Sequence, residues 1–370
     1  MRSPAPLRAI APAKPGGLGR RGLLAAAATL ALPAAPGFAA PARAPALPVH
    51  PFPHGAQLLL AGPPRGLLDA WSLLLAPALR GAIPPGPPII RHLLGGRDGV
   101  TAANRFAAVL APAGETLLMM PGEAARAWAV GDPRVHYEVG HWVPLLAATT
   151  PGVLVGRDGA VLRAGRRLTL AAATPVGADL AAFLALELLG VAAAPLFGLA
   201  TPAARRAAFL HRAADLVFLT GPGVPAQLAA LARVGGRALF SLGAPTATGE
   251  PGRDPLLPRL PSVGELYLER TGHLPSGPFA AAFAAMAAAS RLAFGLALPG
   301  LTPAALVALW RLAASAAAAA PALAAAAHHQ DLRLAVGPLA IAEMAPLAAS
   351  TQALLALRHF LAARLGWHPR

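Results

Sequence analysis

Cysteine is absent from these 370 residues, and lysine occurs once, at Lys14. Without cysteine no disulfide staples the fold and no thiol carries a lipid, so stability has to come from core burial. Metal-ligand patterns are missing as well. His136 and His141 straddle a turn-like stretch, while His328 and His329 are adjacent and so face different directions on a helix. No metal site and no cofactor is expected. Charge is sparse, at 13% of residues, with 16 acids against 31 basic residues. The arginines are scattered, with no basic stripe interleaved with aromatics, which argues against a nucleic-acid partner. There is no G-x-S-x-G elbow, no G-x-x-x-x-G-K-[ST] loop and no H-E-x-x-H helix, so an enzyme is not expected and no catalytic residue stands out.

The start of the chain is its most informative stretch. Gly19 to Leu24 (GRRGLL) opens an apolar run that ends in the small residues Gly37-Phe38-Ala39 and Ala40-Pro41-Ala42. Basic, apolar and small-residue segments in that order read as an export signal over residues 1–39, and the Arg20-Arg21 pair points to the twin-arginine route. Leu23 to Ala35 is too short to span about 30 Å of hydrocarbon. The expectation is a periplasmic protein that is soluble and not lipid-anchored, with a Pro- and Ala-rich tether over 40–55. Five basic residues of the leader account for a third of the formal charge of +15. The remainder favours small anionic molecules, because a positive cleft concentrates them. Ala178 to Ala200 is the strongest internal candidate for a membrane span, but Asp179, Glu187 and Pro195 are costly in lipid, so a buried helix is expected there.

After the tether, apolar runs of strand length alternate with helical periodicity. Gln57–Ala61, Ile89–Leu93 and Thr116–Met120 read as strands, with helices over Leu67–Arg80 and Val100–Leu110 between them. Further strands are expected over 145–148, 153–156, 168–172, 193–196, 216–219, 238–241 and 293–298, and helices over 178–189, 203–213 and 224–232. This alternation implies α/β lobes, each a mostly parallel sheet flanked by helices. The length predicts two lobes, 56–150 and 151–290, with 291–370 returning to the first. Crossings near Thr149–Val155 and Ala293–Pro299 would form the hinge. From Thr302 the chain reads as almost entirely helical, with Thr302-Pro303 as a capped start and Pro321 as a break.

The order of loops resembles the solute receptors of the tripartite tricarboxylate transporter family, the Bug-type receptors, from about Gln57 to Trp367. Arg65-Gly66-Leu67-Leu68-Asp69 is similar to a GGPTD loop in its final Gly and Asp spacing. Arg97 to Ala103 stands for a GAGGNIG loop and, at matching length, Pro112 to Leu118 for PDGYTLL. Asp132-Pro133, Trp142 to Ala147 and Gly152 to Val155 follow a YDPVKDFAPVSLVASVPLVLVV pattern. Ala194 to Gly198 echoes VPYKG, Asp215 to Phe218 VDLMF, Pro258 to Glu265 PDVPTVAE, and Ala297 to Leu306 APAGTPPEVVARL. The departures fall in the ligand loops. In the third, Asp179 stands at a histidine position and Thr174 is the only hydroxyl. After the VDLMF-like strand, the usual Asp is Leu219, with Thr220 following.

The resemblance implies a two-lobed periplasmic-binding-protein fold of type II and a monomeric receptor. It implies a small organic acid as ligand, held between the lobes and delivered to a membrane permease. A sensory or scavenging receptor without a permease, and a secreted hydrolase, are the alternatives. The candidate ligand residues are Arg65, Gly66, Asp69, Gly99, Thr101, Thr174, Asp179 and Thr220. Gly66 and Gly99 open helix N-termini, whose unpaired amides and positive dipole end seat a carboxylate. Arg65 offers a full charge or is a solvated loop residue. Asp69 contacts ligand or complements the helix dipole, Thr101 donates to ligand or caps its helix, and Thr174 and Thr220 are donors or turn residues. Replacing Arg20 and Arg21 together with lysine should leave uncleaved precursor in the cell, read by immunoblot of fractions. Unchanged processing would instead indicate the general secretory route.

Overall fold

Alternating apolar strands and helices build two sheets. The computed structural model describes residues 52, 55–108, 114–159, 162, 165 and 167–369, so the leader and most of the tether lie outside the described residues. The chain opens with β1 (Ala56–Ala61), α1 (Leu67–Gly81), β2 (Ile89–Leu94), α2 (Val100–Ala107), β3 (Thr116–Met120), α3 (Gly122–Val130) and β4 (Trp142–Thr149). It continues through β5 (Val153–Gly156), β6 (Leu168–Ala171), α4 (Leu180–Leu188), β7 (Ala193–Leu196), α5 (Pro202–Leu210), β8 (Leu216–Leu219), α6 (Val224–Ala232) and β9 (Arg237–Ser241). The short strands β10 (Ala244–Pro245) and β11 (Pro251–Gly252) precede α7 (Val263–Thr271) and α8 (Gly277–Arg291). The last part holds β12 (Leu292–Pro299), α9 (Ala304–Ala319), α10 (Pro321–His329), β13 (Arg333–Val336), α11 (Pro338–Met344) and α12 (Thr351–Leu365).

The first sheet has the order β13-β4-β12-β3-β1-β2, with β1, β2 and β3 parallel and β12 antiparallel to both neighbours. The second has the order β7-β6-β8-β5-β9, with β6, β7 and β8 parallel and β5 running against β8 and β9. Most strands of each sheet thus run one way, the α/β arrangement expected from the alternation.

Side-chain alternation divides the burial between sheet faces. In β5 and β8, Leu154, Leu216 and Phe218 face a core shared with α4, α8 and α12, whereas Val153, Val155, Val217 and Leu219 face Phe209, Val224 and Leu231. Helix α4 is buried on every side from Leu180 to Leu186, which accounts for the apolar run at that point. No single helix among the described residues is long and apolar enough to cross a membrane. The first core forms around Leu58, Leu60, Trp71, Leu117 and Trp310, with the Trp310 indole donating to the Gly114 carbonyl at 2.8 Å. Helix α12 sends Leu357, Phe360, Leu361 and Leu365 into the second core.

Three readings of the tail and hinge need correction. Residues 333–336 form β13, which pairs antiparallel with β4; its short run opens on Arg333 and lies between alanine-rich helices, so the helical signals on either side hide it. Helix α9 starts at Ala304 with Pro303 as its N-cap, and the buried Thr302 hydroxyl finds no partner among the described residues instead of capping. Residues 293–299 lie inside β12 in the first sheet, so the second crossing sits at the end of α8. The first crossing is Thr150 to Gly152, between β4 and β5.

At the second crossing Arg291, the last residue of α8, is 3% exposed. Its Nη1 and Nη2 donate to the two oxygens of buried Glu343 at 3.0 and 3.2 Å, and its Nε lies 3.6 Å from Asp254. Removing one member of a buried pair leaves the other charge stranded, which costs far more than losing an exposed pair. Arg291→Met should therefore lower unfolding free energy by about 3–5 kcal/mol. Arg364→Met, which loses an exposed pair with Glu187, should cost no more than about 1 kcal/mol. Urea unfolding of both variants checks the contrast.

Candidate functional site

Loops at the carboxyl ends of six parallel strands converge where the two sheets meet. They line a cleft of about 440 Å³. The β1–α1 loop gives Gly62, Pro63 and Gly66, the β2–α2 loop Arg97, and the start of α3 Glu123. From the second sheet come Ala178 after β6, Arg205 in the first turn of α5 after β7, and Thr220 after β8. Thr150 and Ser290, at the two crossings, close the back. Ligand clefts of open α/β sheets form at this end of the strands, where helix N-termini also point.

Each wall has a physical reason for its position. Gly66 caps α1 without a side-chain bond, and the amides of Leu67 and Leu68 beside it find no acceptor among the described residues. A Cβ on Gly122 would lie 1.9 Å from the Ala289 carbonyl oxygen, so glycine there lets the first turn of α3 press onto α8 and brings Glu123 to the cleft. Behind the cleft, Thr220 Oγ1 donates to the Ser290 carbonyl at 2.7 Å and Ser290 Oγ donates to the Ala178 carbonyl at 3.0 Å. The Gly221 amide donates to Thr150 Oγ1 at 3.2 Å. These bonds tie the loops of the second sheet to both crossings.

Two arginines face the cleft from opposite sides. Arg97, on the first lobe, is exposed. Arg205, on the second, lies with its Nε 3.4 Å from Asp179 Oδ1, and its Nη1 donates to the Leu199 carbonyl at 3.3 Å. Glu123 is the one acid in the lining, and it pairs with buried Arg126 at 3.5 Å. Asp179 is 1% exposed, and its Oδ2 accepts from the Ala173 amide at 3.0 Å. Burial pushes the Asp179 carboxyl up from its ordinary range, against the downward pull of Arg205, the Ala173 amide and Arg126.

The candidate residues read from the sequence divide accordingly. Gly66 and Thr220 line the cleft, and Asp179 sits directly beneath it as the partner of Arg205. Arg65 is exposed outside the lining, with a left-handed φ of 65° and its amide donating to Asp69 Oδ2 at 2.7 Å. Asp69 also pairs with Arg91 at 3.3 Å. Gly99 is the left-handed N-cap of α2, packed near Pro121, while Asp98 Oδ1 accepts from the Val100 amide. The helix start expected of Thr101 thus belongs to Gly99, and Thr101 is exposed in the first turn. Thr174 is exposed in the β6–α4 loop, its carbonyl accepting from the Gly177 amide. Arg97, Glu123, Thr150 and Arg205 are the lining residues that pattern reading missed. Only their place just after strand ends could have marked them.

No protein-family model and no curated protein matches the chain. Among solved structures, a TctC solute binding protein from Polaromonas, determined without ligand, matches with a TM-score of 0.63 at 16% identity, covering 81% of this chain and 97% of that one. MatC from Rhodopseudomonas palustris with bound malate aligns at 19% identity and a TM-score of 0.48, covering 82% and 98% of the two chains. The periplasmic binding protein BugD aligns at 18% identity and a TM-score of 0.47, covering 85% and 98%. The Polaromonas match shows that this chain has the two-lobed periplasmic-binding-protein fold, in agreement with the loop order in its sequence.

With its carboxyl pushed above 3.8, folded Asp179 holds a proton that the unfolded chain has already released. Its contribution to stability is therefore present below that value and is lost as pH rises through the folded one. Asp179→Asn should flatten the pH dependence of the thermal midpoint in that acidic window. An unchanged slope would show that the carboxyl titrates alike in the folded and unfolded chain, and a change of the opposite sign that Arg205 keeps it ionised.

Proposed function

We propose that the chain is an exported receptor that captures a small organic acid between its two lobes and delivers it to a permease of the tripartite tricarboxylate type. The observation that carries this reading is the cleft itself. It gathers strand-end loops from both sheets, the open N-terminus of α1, and one arginine from each lobe. A carboxylate there receives backbone amides and charge-assisted bonds that neither lobe supplies alone. The Leu67 and Leu68 amides take one end of the anion, and Arg97 and Arg205 neutralise its charge. Thr220 is not a donor to the anion here, because its hydroxyl proton is given to the Ser290 carbonyl; it holds the loop in place instead.

Asp179 holds Arg205 in place, which links the altered third loop to ligand binding through a neighbour instead of through contact. Gly99 frames the loop that carries Arg97, and Asp69 fixes the turn at Arg65. Arg65, Thr101 and Thr174 reach ligand in this proposal only when the lobes close about the crossings at Thr150 and Arg291.

The test is calorimetric titration of the mature protein with a panel of small mono- and dicarboxylates. Binding without product is expected, together with a thermal midpoint that rises with the logarithm of ligand concentration. Arg97→Ala should weaken binding by about 1.5–3 kcal/mol and leave the empty protein's midpoint unchanged, because the side chain is exposed. Carboxylate affinity within about twofold of wild type in both Arg97→Ala and Arg205→Gln would remove the proposed anion seat. Conversion of any ligand to product would remove the receptor reading.

A further inference from the structure

The free edge of the first sheet carries a second built surface. Strand β2 ends that sheet and pairs only with β1 among the described residues. Beside it, the carboxyl half of α1 and the loop that follows enclose a groove of about 740 Å³, roomier than the interlobe cleft at about 440 Å³. Leu73, Pro77, Arg80, Pro85, Ile89 and Arg91 are among its walls. Leu73 is 57% exposed, and Ile90, one residue further along the same edge, is 51% exposed. Native proteins usually blunt such edges, since an open strand next to apolar side chains is a template for another strand.

Backbone chemistry points the same way. Pro77 lies inside α1 and has no N–H, so the Leu73 carbonyl lacks its helical donor at the groove wall. The groove is shaped and not slack: a Cβ on Gly86 would sit 2.7 Å from the Arg80 carbonyl oxygen, so glycine lets the loop press onto the end of the helix. The charged side chains of the lining are both arginines, of which Arg91 is already paired with Asp69 just outside it. Arg80 is exposed with no acidic partner among the described residues, and Arg91 spans from Asp69 to Ser72. No acid belongs to the lining.

We propose that β2 and this groove take an extended acidic segment of a partner protein, added as a further strand. Main-chain bonds along β2 supply affinity, alternate apolar side chains meet Leu73 and Ile89, and carboxylates meet Arg80 and Arg91. A second copy of this chain is the poorer occupant. Without the five basic residues of the leader the formal charge of +15 becomes +10, and two-fold pairing of the same edge would set the same arginines against each other.

The test titrates a fluorescein-labelled peptide of alternating valine and glutamate into the mature protein, read by anisotropy, with an alternating valine and lysine peptide as control. Saturable binding of the glutamate peptide is expected, with slowed amide exchange over residues 89–94. It should weaken at least about tenfold in Arg80→Glu and again at high salt, while the lysine peptide does not bind. Arg80 and Ile90 are exposed, so Arg80→Glu and Ile90→Asp should keep the wild-type thermal midpoint; if Ile90→Asp fails to fold, Arg80→Glu decides alone. Absence of binding, equal affinity for the two peptides, or Arg80→Glu binding within about twofold of wild type overturns the proposal. So does a dimer in sedimentation that Ile90→Asp dissolves, which would assign the edge to a second copy.

Discussion

The structure turns on Arg291. Its side chain joins Glu343 of α11 with Asp254 of the loop before α7, and its carbonyl accepts the Thr150 amide at 2.8 Å. Both chain crossings are therefore bonded to one buried residue. A charge so deeply placed is tolerable only with its partners present, because stripping water from an ion costs several kcal/mol unless a counter-charge and hydrogen bonds replace it. Arg333 adds a second donor to Glu343 at 3.3 Å, so the carboxylate is shared between the end of α8 and β13. The geometry of the cleft in front depends on this fixed point behind it.

From that point outward, the cleft follows from packing. Helix α8 runs through the second core into the first, and its small side chains allow close approach, as the contact of Gly122 with the Ala289 backbone shows. The strand-end loops of both sheets are left facing one another with polar rims. Thr150, Thr220 and Ser290 spend their hydroxyl protons on backbone carbonyls, which orients their lone pairs and fixes the loops. Charge is then placed where burial allows it. Arg205 keeps an edge in the cleft while its partner Asp179 lies beneath.

Much of this was legible in the residues. The strands at 116–120, 153–156, 193–196 and 216–219 and the helix at 224–232 have the bounds that apolar runs and breakers predict. Gly66 and Thr220 were visible as loop residues after strands. Less visible were α3 and α8, because alanine-rich helices give weak periodicity when small residues occupy both faces, and α7, which buries only Val263 and so shows no apolar stripe. Strand β13 was missed because its run opens on Arg333 and lies between alanine-rich helices, in a tail whose other signals are helical. Arg97 and Arg205 looked like any other arginine in a chain that has many.

The sequence by itself determined the alternation of strand and helix, the lack of disulfides, and the order of loops that resembles the solute receptors. These are local or compositional properties, written in periodicity, breakers and residue counts. Tertiary structure alone decided which arginines face the cleft, that Asp179 is buried beneath Arg205 and not exposed to ligand, and that Arg291 bonds both crossings. Asp179 and Arg205 are separated by α4 and β7, and Arg291 and Glu343 by β12, α9, α10 and β13. No spacing rule links residues so far apart. Their pairing is set by how the two sheets pack around α8, and so only the folded chain reveals it.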